Sequence, residues 1–160
     1  MAVDHKRIPD YPAWIPPHLQ TDRLGLPVPP RKAELRTPLY WLSRRRMEVY
    51  FVNASSFILD KLVSDTGGTI TADEDVITLT SPQFEYNNIL PNEGVLIEFF
   101  DERADSDWHF QLSMHLHTNQ NEHIQMLLPI SMDDRSDIVL LWSNGDRHKY
   151  LGIIKDQPSL

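Results

Sequence analysis

From Trp108 to His117 the chain alternates without a break. Trp108, Phe110, Leu112, Met114 and Leu116 are apolar; His109, Gln111, Ser113, His115 and His117 are polar. Successive side chains of a β-strand point to opposite faces, so the pattern predicts one long, half-buried strand. A second alternating run follows, with Ile124, Met126, Leu128 and Ile130 in phase and His123 and Gln125 between them. Bringing the two apolar sets to one face sets Leu116 opposite Ile124, Met114 opposite Met126 and Leu112 opposite Leu128. A one-residue slip would send the sets to opposite faces, so this antiparallel register is favoured.

The pattern elsewhere is shorter but of the same kind. Leu39–Leu42 is a brief apolar run that Ser43, Arg44, Arg45 and Arg46 are expected to interrupt, and Met47–Asn53 is rich in strand formers. Phe57–Ser64 fits a strand or a turn of helix, and Asp65-Thr66-Gly67-Gly68 has turn composition. Asp75–Thr80, Gln83–Ile89 and Val95–Phe100 read as strands, the last entered through a turn at Pro91-Asn92-Glu93-Gly94. Ile138–Trp142 and His148–Ile154 flank Asn144-Gly145, the signature of a hairpin closed by a type I′ turn. Many short strands, frequent turns and no helical period after residue 65 predict an all-β chain. The expected architecture is an antiparallel β-sandwich of immunoglobulin-like or jelly-roll-like type.

Residues 1–38 break the pattern. They hold eight of the twelve prolines, which exclude a helix or a central strand. They also carry Tyr11, Trp14, Ile15, Leu19, Leu24 and Leu26, too apolar for an inert linker. The chain is therefore divided into a proline-rich extended N-terminal arm, 1–38, and a β-sandwich domain, 39–160. The arm is expected to pack on its own body, on a partner protein or on a second subunit.

Charge sharpens this division. The net charge is −8, yet residues 1–46 hold nine Lys/Arg and four Asp/Glu, giving +5, and the remainder hold six and nineteen, giving −13. An acidic body repels phosphate, which disfavours nucleic acid as a partner. Arg44–Arg46 is expected to pair with that acidic body. The chain has no cysteine, so disulfides, thiolate metal sites and cysteine nucleophiles are excluded. No apolar run approaches the length of a membrane span, and the first residues do not resemble a signal peptide, so the expected location is the cytoplasm.

One constellation carries chemistry. The register above sets His117 opposite His123 and His115 opposite Gln125, so His115, His117 and His123 gather on the polar face. Three imidazoles with an open fourth position can hold zinc or another divalent metal. His115, His117 and Glu122 spell His-x-His-x4-Glu, which resembles part of the first metal motif of cupins, a family of β-barrels. The resemblance covers about eight residues, lacks the flanking glycines and has no second motif. It implies a metal-dependent β-barrel enzyme. The competing reading is that these histidines are solvated residues of an amphipathic strand.

Acidic residues cluster at Asp101, Glu102, Asp105 and Asp107, at Asp73–Asp75, and at Asp133, Asp134 and Asp137. The first group is similar to the calcium loops of C2-type sandwiches, but acidic turns also solubilise sheet ends and block edge pairing. No nucleophile elbow, phosphate loop or dinucleotide fingerprint is present. The expected function is a non-enzymatic interaction or structural module, with the cupin-like metalloenzyme as the alternative and no cofactor beyond that metal.

Overall fold

The computed structural model of the chain describes residues 6–19, 24, 33–45, 48–72, 75–80, 84–99, 109–119, 122–131 and 137–155. The strands are β1 (Arg7–Ile8), β2 (Pro38–Arg45), β3 (Glu48–Asn53), β4 (Leu59–Ala72), β5 (Asp75–Thr80) and β6 (Phe84–Ile89). They continue with β7 (Glu93–Phe99), β8 (His109–Thr118), β9 (Glu122–Ser131), β10 (Ile138–Trp142) and β11 (Leu151–Lys155). A 3-10 turn spans Pro17–Leu19, and no α-helix occurs among the described residues. None of their helices is long and apolar enough to cross a membrane.

Two antiparallel sheets result. The first has the order β1-β7-β3-β2-β10; the second has the order β11-β9-β8-β4-β5, with β6 also paired to β4. One apolar cluster draws on both sheets, including Leu42, Phe51, Val95, Ile97 and Leu140 from the first and Leu59, Leu62, Leu112, Met114, Leu116, Ile124 and Met126 from the second. The chain is thus all-β, as the alternation implied, and its two sheets share a core as in a β-sandwich. β8 and β9 pair with Leu116 opposite Ile124, Met114 opposite Met126 and Leu112 opposite Leu128. All six of these side chains are buried.

The first sheet is covered on both faces. Tyr40, Leu42, Phe51 and Val95 turn one way, toward the second sheet; Trp41, Ser43, Tyr50, Val52, Gly94 and Leu96 turn the other. This second face is also largely apolar and buried. The N-terminal segment covers it. β1 adds to the free edge of β7, with Arg7 opposite Val95 and Ile8 opposite Gly94. Tyr11 then lies on the sheet, its ring 5.9 Å from Trp41 and 5.6 Å from Tyr50. Its hydroxyl donates to Ser43 Oγ at 2.8 Å, and its backbone N–H donates to the Asn92 carbonyl at 2.8 Å. Gly94 makes this possible: a Cβ there would stand 2.3 Å from Tyr11 Cδ2. Trp14 reaches the opposite edge, edge-on to Trp142 of β10 at 5.3 Å. The return passage places the Arg36 guanidinium 4.0 Å above the same Trp142 ring before β2 begins.

Four local expectations are corrected, and one left open, strand or helical turn at 57–64, is decided. Ser43–Arg45 does not interrupt a strand but continues β2, because Tyr50, Val49 and Glu48 of β3 pair with those residues. Phe57–Ser64 resolves as strand only from Leu59. Gly67-Gly68 is not a turn: β4 runs through it, paired with Thr80 and Leu79 on one side and with Gln111 and Phe110 on the other. Ladders on both sides satisfy the backbone there, which outweighs the weak strand preference of glycine. β7 likewise begins at Glu93, so Gly94 belongs to the sheet and the turn is confined to Pro91–Asn92.

The fourth correction concerns Asn144-Gly145. The turn exists, but β10 pairs with β2 and β11 pairs with β9, so the two strands part into different sheets after the isolated Leu141–Arg147 bridge. Gly145 N–H donates to the Trp142 carbonyl at 3.0 Å, and Trp142 N–H donates to the Asp146 carbonyl at 2.9 Å. Gly145 has φ +96°, whereas Asn144 is not in the positive region, so this is a three-residue loop with a left-handed glycine rather than a type I′ turn. A side chain at Gly145 would meet open space, so its cost is conformational. Gly145→Ala should therefore lower stability by about 1 kcal/mol, and Gly145→Asn by less, in chemical denaturation. Equal stability of all three proteins would refute the left-handed assignment.

Candidate functional site

The polar face of the second sheet carries the histidines. β8 and β9 pair His117 with His123 and His115 with Gln125, while β4 sets Lys61 beside His117 and Val63 beside His115. The alternation that buries Leu112, Met114, Leu116, Ile124 and Met126 forces the histidines outward, and all three imidazoles are half-buried. His115 Nδ1 and His123 Nε2 are 3.0 Å apart, a hydrogen bond in which one ring donates and the other accepts. His117 stacks on His123, with ring centroids 4.6 Å apart and planes 11° from parallel. His123 therefore touches both partners.

Lys61 closes one side of the cluster. Its ammonium pairs with Glu85 Oε1 at 2.9 Å, so its charge is partly neutralised. A break in register between Leu59 and Lys61 turns Lys61 outward beside His117 while Leu59 and Leu62 both remain buried. Neither Lys61 nor Glu85 was legible as a neighbour from local patterning, because β4 lacks clean alternation and its pairing spans a long stretch of chain.

Glu122 does not join the histidines. It precedes His123 on β9 and so belongs to the face of Ile124 and Met126; its charge is felt by Tyr40, whose hydroxyl proton is held mainly by burial and secondarily by Glu122. The carboxylate of the cupin-like spelling is thus on the far side of the sheet from its two histidines. Among the described residues no three His, Cys, Asp or Glu side chains already surround a common point able to hold a metal ion. The stacked pose of His117 accounts for this, since parallel rings aim their in-plane lone pairs side by side rather than at one point.

The other candidates are distributed elsewhere. Asp101, Glu102, Asp105 and Asp107 lie outside the described residues, as do Asp73, Glu74, Asp133, Asp134, Arg46 and Trp108. Asp137 Oδ1 accepts the Arg44 backbone N–H at 3.0 Å, and burial raises its carboxyl pKa against that bond. Arg45 stands 4.4 Å above the Tyr11 ring. Burial pushes the Tyr86 phenol up to about 12, which keeps its hydroxyl as a donor to the Leu96 carbonyl. Comparison with protein-family models, with curated proteins and with solved structures finds no match for this chain.

Outside the cluster, the surroundings of His148 bear on stability against pH. His148 accepts the Tyr150 backbone N–H on Nδ1, and burial followed by the charge of Lys149 lowers its pKa. The unfolded chain therefore binds this proton more readily than the folded one. The stabilising contribution is complete above about pH 6.5 and is lost as pH falls through the folded value. His148→Gln should reduce the drop in melting temperature between about pH 7.5 and about pH 5. An unchanged drop would show that His148 does not contribute.

Proposed function

We propose that this chain is a non-enzymatic interaction module, a β-sandwich of immunoglobulin-like or jelly-roll-like type that engages a protein through its proline-rich N-terminal arm. The carrying observation is the division of labour within that arm. Tyr11 and Trp14 are used on the chain's own body, whereas Leu19 is 62% and Leu35 is 90% exposed. These two leucines flank a local contact in which the Glu34 N–H donates to His18 Nδ1 at 3.1 Å. Arg36 anchors the same region through Glu34 and Asp146. An apolar pair held on an anchored strap is better suited to docking than to solvation.

The occupant is a protein, either a second copy of the chain or a different partner. The cupin-like alternative is less well supported because Glu122 lies across the sheet from His115 and His117. The acidic body still disfavours nucleic acid. Leu19→Asp combined with Leu35→Asp should abolish self-association in sedimentation velocity, or remove a cross-linked partner from cell extract, without changing the melting temperature. If the parent chain neither self-associates nor cross-links through the arm, the reading fails.

A further inference from the structure

The histidine cluster supports a separate inference on the opposite side of the molecule from the strap. We propose that His115, His117 and His123 form a surface site for a borderline divalent transition-metal ion such as zinc, nickel or copper. Imidazole nitrogen suits these ions, and the chain supplies no thiolate that would select a softer one.

Two ligand atoms already have the required spacing. Nitrogens bound to one ion at about 2.0–2.1 Å lie about 2.9 Å apart at a right angle and about 3.3 Å apart at the tetrahedral angle. His115 Nδ1 and His123 Nε2 are 3.0 Å apart, between these values. In the metal-free chain one ring donates its N–H to the other; when a cation binds, that proton leaves the bridging nitrogen for the same ring's other nitrogen, so that both rings present lone pairs. The two histidines project from adjacent, fully paired strands with Leu116, Ile124 and Met126 locked beneath them, so their separation is set by the sheet.

The third ligand needs a side-chain rotation only. His117 is stacked on His123 at 4.6 Å and is half-buried, so its ring turns toward the pair without disturbing the core. The adjacent Lys61 ammonium is held by Glu85 at 2.9 Å, which moderates its repulsion of a bound cation. Three imidazoles leave at least one coordination position open toward solvent. Among the described residues no carboxylate joins the three histidines, since Glu122 faces the other way. The expected affinity is therefore micromolar rather than that of a closed structural site.

The test is isothermal titration of the untagged full chain with zinc chloride and, separately, nickel chloride. One saturable site with micromolar affinity is expected. His123→Gln should weaken it at least tenfold because His123 contacts both partners, His115→Gln should do the same, and His117→Gln should weaken it less. His18→Gln and His148→Gln should bind as the parent does. Circular dichroism checks that each variant is folded. Should His123→Gln not fold, copper-loaded parent protein gives a second readout, a paramagnetic resonance spectrum split by imidazole nitrogens that changes in His115→Gln. No saturable binding, or binding indifferent to both His115→Gln and His123→Gln, overturns the proposal.

Discussion

The seat of Tyr11 on Gly94 is the contact on which the architecture depends. The first sheet is apolar on both faces, so stacking a second sheet against one of them leaves Trp41, Tyr50, Val52 and Leu96 uncovered. A patch of that size on one face would favour association or aggregation. The N-terminal segment solves this by crossing the sheet from β7 to β10, and Tyr11 is its central anchor. Close approach of the ring is permitted only because β7 has no side chain at position 94. The arrangement has three layers: strap, first sheet and second sheet. Its geometry also decides which arm residues remain outside, Leu19 and Leu35 among them.

Electrostatics reinforces the strap without holding it. The basic N-terminal segment meets the body through Lys6 with Glu48, Arg7 with Glu93 and Arg36 with Asp146. The Lys6 and Arg36 pairs are solvent-exposed, where screening and side-chain entropy leave an ion pair little net stabilisation. Arg7 with Glu93 is the more consequential pair, because the Glu93 side chain is 9% exposed and also accepts the Leu90 N–H. Burial of Tyr11 contributes more than these pairs, at about 1.5–3 kcal/mol for a fully buried large side chain, and Trp14 adds a smaller share because it is half-buried. The +5 and −13 division in the sequence therefore describes where the segments meet and how they attract at a distance, rather than what locks them together.

Legibility followed the reach of each signal. The β8–β9 register could be read because both strands are long, adjacent and apolar on one face, so parity alone sets the partners. That same parity set His117 opposite His123 and beside His115. Gly67-Gly68 misled because turn composition is a local cue, whereas β4 is held by partners on both flanks. Asn144-Gly145 announced a turn correctly but not the destination of the strands beyond it, which depends on the free edges of β2 and β9. Gly94 could be read only as a turn residue, since its reason for being glycine is a ring more than eighty positions earlier in the chain. The pose of His117, and the exclusion of Glu122 from the cluster, required the three-dimensional faces of β8 and β9.

A double-mutant cycle at Tyr11 and Gly94 tests the central claim most directly. Tyr11→Ala alone should cost about 3–5 kcal/mol in denaturation. Gly94→Ala alone should cost about 1–3 kcal/mol, because its methyl group collides with the ring. With Tyr11 already replaced by alanine, Gly94→Ala should cost less than about 0.5 kcal/mol, since the collision is gone. Strict additivity, or a Gly94→Ala protein as stable as its parent, would contradict the account of a ring seated on a glycine.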